Sequence, residues 1–165
     1  MKRLFTLLFL IVLYPAQAQL SADTFDFWVG SWDLTWTNAQ GQTETGKNEI
    51  VRILDGKVIQ ENFEAGPGSL QGYKGTSISV FNPQNGTWYQ TWMDNQGGNI
   101  NLTGEVIEGK KIFKTAEVVR NGQKAMSRMV FYDFTADSFT WEWEATTDGG
   151  KTWKLNWRIN YQRAQ

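Results

Sequence analysis

The sequence predicts an all-β fold, an antiparallel up-and-down barrel of about ten strands with a short N-terminal helical plug. Short runs alternate apolar and polar residues, turn residues separate these runs at regular intervals, and almost no stretch has helical spacing. The aromatic content is high, with nine Trp, ten Phe and five Tyr. Sequential strands joined by short turns hide their edges most directly by closing into a barrel, whose interior these rings would fill or line.

Residues 1–18 are predicted to be a signal peptide. Two basic residues precede an apolar run over residues 4–13, Pro15 follows it, and Ala16-Gln17-Ala18 places small residues at cleavage-site spacing. The run is shorter than the ~20 residues that a membrane-spanning helix needs. We therefore expect one barrel domain over residues 19–165, periplasmic or secreted, with no membrane span in its mature form and with a monomeric or weakly dimeric state.

The elements follow from the spacing of turn residues. The helical plug is predicted over residues 21–29, with Ser21 as its N-cap residue. Asp-Gly and Asn-Gly pairs mark several strand ends, because they supply the positive φ that tight hairpins require. The loop over residues 66–72 is the longest interruption and is predicted to be a mobile flap. The predicted strands cover residues 33–38, 43–54, 57–65, 73–81, 86–94, 99–107, 111–120, 125–133, 138–146 and 152–162.

Charge and residue content exclude several classes of function. The chain has 16 basic and 17 acidic residues, a balance that argues against nucleic acid as a partner. It has no Cys and no His, so the sequence excludes disulfides, thiol chemistry and a histidine base. Neither a Gly-x-Ser-x-Gly motif nor a metal-ligand spacing is present, so we expect no metal and no cofactor and assign no catalytic residue.

The segment Gly30-Ser31-Trp32 resembles the Gly-x-Trp motif of the lipocalin and calycin superfamily, in which the Trp closes the base of the barrel. The resemblance widens through residues 25–32, Gly75-x-Ser77, Trp88-x-Gln90-x-Trp92-x-Asp94 with its following Gly-Gly, and Trp143-Glu144 leading to residues 148–153. Together these segments make the chain similar to an uncharacterised family of bacterial exported proteins with a lipocalin-like barrel. The resemblance implies a fold and no established activity. Nitrobindin-like barrels hold haem through a His, which this chain lacks, so haem is not expected.

Residues 146–153 fit the Asp-box pattern of sialidase-type propellers. In that pattern Asp148 would accept backbone hydrogen bonds within a turn, and Trp153 would pack beneath it. A propeller needs repeated copies, and this chain has one. The pattern therefore predicts a stable hairpin and does not favour a glycosidase.

The alternation of side chains along each strand predicts which of them share the interior. On the last strand, Trp153, Leu155, Trp157, Ile159 and Tyr161 share a face that is expected to point inward. By the same reasoning Trp141 and Trp143 point inward, and Glu142 and Glu144 point outward.

Three polar residues share faces with apolar or aromatic neighbours: Glu61, Gln90 and Arg128. If those faces are internal, Glu61 should pair with Arg128, because a buried charge is costly without a partner. The group would either anchor a ligand or only fix the strand register. The candidate ligand-binding residues are Glu61, Gln90, Trp92, Arg128, Trp141, Trp143 and Trp157.

The function predicted is a carrier or sensor of a small, partly apolar molecule, and an acidic group on that molecule would dock on Arg128. One alternative is an enzyme that uses buried carboxylates, such as Glu61 with Asp94, for acid–base chemistry. Another is a surface-interaction protein with a solid core. The carrier requires a cavity open at one rim, the enzyme requires a carboxylate with a raised pKa in that cavity, and the interaction protein requires no cavity.

Overall fold

The predicted strands pair with their neighbours in sequence and close into a barrel in the computed structural model, which describes residues 20–165. Each pairing is antiparallel, and β11 pairs with β1 to close the wall. Ten strands form that wall, because β8 pairs with β9 alone. The strands are β1 Gly30–Thr37, β2 Thr43–Ile53, β3 Val58–Ala65, β4 Lys74–Asn82, β5 Thr87–Asp94, β6 Asn99–Ile107, β7 Lys110–Lys114, β8 Val118–Arg120, β9 Gln123–Tyr132, β10 Ser138–Thr146 and β11 Lys154–Arg163.

The all-β barrel is thereby confirmed. The predicted signal peptide lies outside the described residues. Within residues 20–165, no helical segment has the length and apolar character of a membrane-spanning helix.

The predicted strand over residues 111–120 is two strands. β7 ends at Lys114, opposite Arg128, whereas β8 resumes with Val118 opposite Ala125. The pairing register with β9 therefore differs by one residue between β7 and β8. The shift occurs over residues 115–117, which belong to neither strand. No turn residue in the sequence marks the break.

The N-terminal plug is shorter than predicted. Only Asp26–Trp28 is helical, as a single 3₁₀ turn whose N-cap residue is Phe25, and the Ser21 side chain does not cap it. One such turn is sufficient to direct two aromatic side chains into the barrel, because Phe25 and Trp28 are three residues apart and both are fully buried. The Phe25 ring stacks on Phe113 at 4.2 Å between centroids, and the plug closes one end of the barrel, here called the base.

Trp32 also lies at the base, at the start of β1. Its Nε1 donates to the Trp28 carbonyl at 2.8 Å, and its ring meets Phe139 edge-on at 4.8 Å between centroids. A Cβ at Gly30 would overlap the Arg163 guanidinium, and the φ of Gly30 is +141°, so only glycine fits comfortably there. The opposite end of the barrel, called the mouth, carries the loop over residues 66–72.

The prediction that Trp153 and Leu155 point into the barrel is wrong. Trp143 pairs with Trp157, but Glu144 pairs with Leu155, so Asn156 is an extra residue in β11. This β-bulge reverses the side-chain alternation on the N-terminal side of Trp157. Leu155 is consequently 42% exposed, whereas Ile159 and Tyr161, beyond the bulge, are buried as predicted.

Candidate functional site

A cavity of about 130 Å³ lies in the mouth half of the barrel. Four indoles line it, together with aliphatic side chains and two carboxylates, and no basic residue is among the described residues around it. An engineered apolar cavity of about 150 Å³ holds benzene, so this space suits one small ring. Its lining residues are Glu61, Phe63, Tyr73, Trp92, Asp94, Ile100, Met129, Trp141, Trp143, Trp157, Ile159 and Tyr161.

Glu61 provides the charged group of the cavity floor. It is 5% exposed, and its two carboxylate oxygens accept hydrogen bonds from Asn48 Nδ2 and Ser77 Oγ, both at 2.7 Å. Burial raises the pKa of Glu61 to about 7, and the hydrogen bonds from Ser77 and Asn48 only partly oppose this rise. Near neutral pH the carboxyl group is therefore present in both protonation states.

Tyr161 completes the floor from the opposite end of the sequence. Asn48 Nδ2 also donates to the Tyr161 hydroxyl, at 3.1 Å, which links β2 to β11. Burial, together with the nearby Glu61 carboxylate, raises the pKa of Tyr161 well above its usual range, so the hydroxyl stays protonated. Asn48 Oδ1 is buried without a hydrogen-bond partner in the described residues.

Asp94 forms the second polar element, on the mouth side of the cavity. Its Oδ2 accepts from Tyr73 Oη at 3.0 Å and from Trp92 Nε1 at 3.2 Å. Its Oδ1 accepts from the Gln96 and Gly98 amides at 2.9 and 2.8 Å. Burial acts to raise the pKa of Asp94, but these hydrogen bonds together lower it below its usual value. Asp94 is thus a fully hydrogen-bonded anion that orients the Trp92 indole.

Gly75 makes room for that indole. A Cβ built at Gly75 would overlap the six-membered ring of Trp92, which lies across the backbone of β4. The absence of a side chain at Gly75 therefore determines where one wall of the cavity stands.

Of the predicted ligand-binding residues, five line the cavity: Glu61, Trp92, Trp141, Trp143 and Trp157. Gln90 points into the barrel and is 2% exposed, but it is not part of the lining. Its Nε2 donates to Ser79 Oγ at 3.1 Å, and its Oε1 has no partner in the described residues.

Arg128 lies on the outer wall, so its predicted pairing with Glu61 is wrong. Its Nε donates to Glu144 Oε2 at 2.6 Å, and Glu144 is its cross-strand neighbour on β10. The inward residues of β9 are Met129 and Phe131, which belong to the core. The prediction failed because Val130, on the same face as Arg128, is also apolar and 2% exposed, so both faces of this strand are apolar.

Asn48 and Ser77 were not predicted as site residues. β2 reads TETGKNEIVRI, and its inward positions include Glu44, Gly46 and Asn48, so no apolar alternation marks the face. The one local signal that could have identified Asn48 is its position two residues before the apolar Ile50, on the same face of the strand.

The Asp-box segment forms a hairpin turn. Asp148 Oδ1 accepts from the Lys151 amide at 2.9 Å, and Oδ2 accepts from Thr152 Oγ1 at 2.6 Å. The hydrogen bonds from Thr152 and Thr146 lower the pKa of Asp148 well below its usual range. Asp148 therefore organises the β10–β11 connection at the rim, outside the cavity lining.

Glu44 ties the loop over residues 66–72, the predicted flap, to β2. Its carboxylate accepts hydrogen bonds from the Ser69 amide at 2.7 Å and from Ser69 Oγ at 2.9 Å. Asn38 Nδ2 and Trp36 Nε1 donate to the same carboxylate at 2.8 and 3.0 Å. The hydrogen bonds, led by the Ser69 amide, lower the pKa of Glu44 to about 2, so the anion persists at almost every working pH.

Comparison with known proteins identifies no family. No protein-family model matches the chain, and no curated protein is significantly similar to it. Among solved structures, the chain is similar to a redesigned β-barrel, with 12% sequence identity and a TM-score of 0.46, over 88% of this chain and 99% of that one. The barrel architecture therefore stands on the strand pairing of this chain itself.

Proposed function

We propose that this protein is a carrier or sensor that binds a small, partly apolar organic molecule in the cavity at the mouth of the barrel. The observation that carries the proposal is the arrangement of Trp92, Trp141, Trp143 and Trp157 around one open space with a polar floor. Apolar walls with a few converging polar groups are the usual composition of small-molecule sites.

The two halves of the barrel use their aromatic residues differently. At the base, Phe25, Trp28 and Trp88 are at most 1% exposed and fill the interior. In the mouth half, Trp92 and Trp157 are only partly buried and border open volume. Burial of apolar surface contributes about 25 cal/mol of stabilisation per Å² removed from water. These uncovered indole faces therefore favour binding of an apolar ligand.

Glu61 supports a second candidate function, an enzyme that uses this carboxyl group as a general acid or base. A buried carboxyl group with a pKa of about 7 is suited to that role. The binding proposal is preferred because Asp94, the other carboxylate of the cavity, already accepts four hydrogen bonds and is poorly placed to exchange a proton.

Export and a lipocalin-like relationship belong to the same proposal. The layout of residues 1–18 supports export to the periplasm or beyond, and the Gly30-Ser31-Trp32 segment supports the lipocalin resemblance. A carrier of small molecules outside the cytoplasm would be consistent with both. Detection of the natural protein in the periplasmic or culture fraction of its cells would test this part, and its retention in the cytoplasm would overturn it.

Benzyl alcohol is a suitable neutral probe of the cavity. Isothermal titration, with quenching of Trp fluorescence as a second measurement, should show saturable binding to one site. Ile100→Phe should fill the cavity and abolish binding, because Ile100 lines it. The matched control is Ile107→Phe on the same strand, where the side chain is 39% exposed and outside the cavity. Absence of saturable binding, or equal binding by both variants, would refute the proposal.

A further inference from the structure

We propose that the ligand of this cavity is an organic cation, a small ring or branched hydrocarbon whose ammonium group binds Glu61 while the indoles hold its apolar part. This inference rests on the proposed binding function and adds the chemical class of the ligand. Its basis is a buried carboxyl group for which the described residues supply no positive partner.

Among residues 20–165, Glu61 is buried without a counter-charge. No lysine or arginine in the described part of the chain forms an ion pair with it, whereas the ion pairs that are present lie elsewhere on the barrel. Each of its oxygens accepts one hydrogen bond, although a carboxylate can accept about four in total. A buried anion is costly unless paired, so a ligand cation would supply the missing stabilisation.

The groups that face Glu61 from the surrounding strands are neutral or acidic. β2 contributes Asn48, β4 contributes Ser77 and β11 contributes Tyr161. The other ionisable side chains of the lining are Asp94 on β5 and Tyr73, which precedes β4, and no residue of the lining from β9 or β10 is ionisable. The ionisable side chains that line the cavity are therefore carboxyl groups and tyrosines, a set that favours a cation and opposes the acidic ligand expected from Arg128.

The indoles of the cavity also lack a cation from the described part of the chain. Elsewhere, aromatic faces are covered by the protein's own charges: Arg128 lies over Trp153 and Arg163 lies over Trp32, at 3.9 and 4.2 Å from the ring centroids. No such contact involves the indoles of the lining in the described residues. An ammonium group within about 6 Å of a Trp ring gains further attraction.

Asp94 is the weaker candidate for the anchor. Its four hydrogen bonds from Tyr73, Trp92, Gln96 and Gly98 match the number that a carboxylate accepts. An ammonium group could reach Asp94 only as an additional ligand or by displacing one of these donors. Glu61 has free acceptor capacity and lies on the cavity floor, so we assign the charged contact to Glu61.

Protonation of Glu61 should control this binding. Burial raises the pKa of Glu61 to about 7, and only the ionised form can pair with an ammonium group. Affinity for a cation should therefore fall by about tenfold for each pH unit below 7, while affinity for a neutral molecule of the same shape should not.

Three probes of matched shape test the class of ligand: benzylammonium, which stays protonated at the pH values used, benzyl alcohol and benzoate. Titration calorimetry at pH 8 should show that benzylammonium binds at least about tenfold more tightly than benzyl alcohol and that benzoate binds most weakly. At pH 5.5 the preference for benzylammonium should disappear.

Glu61→Gln should abolish the preference for benzylammonium over benzyl alcohol at pH 8, with folding checked by near-ultraviolet circular dichroism. The matched control is Glu64→Gln, an exposed carboxylate on the same strand, which should behave as the parent. If benzyl alcohol binds and benzylammonium binds no better, the cationic ligand is refuted while the binding function stands. A preference that survives in Glu61→Gln refutes Glu61 as the anchor, stronger binding of benzoate refutes the cation, and no binding of any probe refutes the binding function itself.

Discussion

The guanidinium carbon of Arg128 lies 3.9 Å from the centroid of the Trp153 ring, on the outer wall of the barrel. The same side chain donates to Glu144, and the two side chains are 21% and 14% exposed. Arg128 therefore connects the Asp-box hairpin to β9 and β10. Its contacts indicate a role in stability.

Arg128→Met should lower the free energy of unfolding by about 1–3 kcal/mol, because it leaves the partly buried Glu144 carboxylate without its donor. Urea unfolding measures this loss. The affinity of the cavity for benzyl alcohol should not change. Lys154→Met, an exposed residue at the start of β11, serves as the control for removal of a charge nearby. A loss of affinity of tenfold or more would contradict the assignment of Arg128 to the outer wall.

Trp32→Ala should destabilise the barrel by about 3–5 kcal/mol, because a buried aromatic side chain leaves a large void when truncated. Trp32 is 2% exposed and packs at the base, away from the mouth. The comparison is with Trp153→Ala, which removes a partly exposed indole and should cost less. Equal midpoints of thermal unfolding for Trp32→Ala and the parent would disprove this prediction.

Glu61→Gln should remove a pH dependence of stability. The pKa of Glu61 is raised from its ordinary 4.5 to about 7 on folding, so the unfolded chain loses this proton first as pH rises. The stability of the parent should therefore decline between pH 4.5 and 7 by an amount of the order of 3 kcal/mol. Urea unfolding at pH 5 and pH 8 should show this decline in the parent and in Glu64→Gln, and a smaller one in Glu61→Gln. Identical profiles for all three proteins would rule out the raised pKa.

Glu44→Gln should loosen the loop over residues 66–72. The pKa of Glu44 falls from its ordinary 4.5 to about 2 on folding, so its contribution to stability is present above pH 4.5 and is lost as pH falls towards 2. The difference in stability between parent and variant should shrink over that range. Hydrogen exchange at the Ser69 amide should be faster in the variant, and Glu49→Gln, exposed on the same strand, should leave it slow. Slow exchange in Glu44→Gln would show that another contact holds the loop.

Gly75→Ala should displace Trp92 and reshape the cavity, because the new Cβ overlaps the indole. We expect lower stability and weaker binding of benzyl alcohol. In a Trp92→Leu background the same substitution should cost much less, so the double-mutant cycle should give a coupling energy of at least about 1 kcal/mol. Additive effects would mean that the indole does not lie against Gly75.

Alternation and turn residues are local properties, and they were sufficient to predict the barrel and most of its strand positions. Asp55-Gly56 and Asn121-Gly122 adopt positive φ at hairpin turns, as their chemistry requires. The alternation of side chains along a strand also predicted correctly which residues of β10 and β11 point inward, because each strand has one clearly apolar face. These residues are Trp141, Trp143, Ile159 and Tyr161. These features depend on neighbours within a few residues along the chain.

The register and the polar floor depend on contacts between distant strands. The bulge at Asn156 reverses Leu155, and nothing local in β11 marks it, since a bulge is defined by the partner strand. Asn48 and Tyr161 are 113 positions apart, yet they meet at one hydrogen bond because the barrel closes between β11 and β1. Both faces of β9 are apolar, so the side-chain alternation does not determine which face points inward. Tertiary packing does: Met129 and Phe131 fill the core, and Arg128 therefore faces outward.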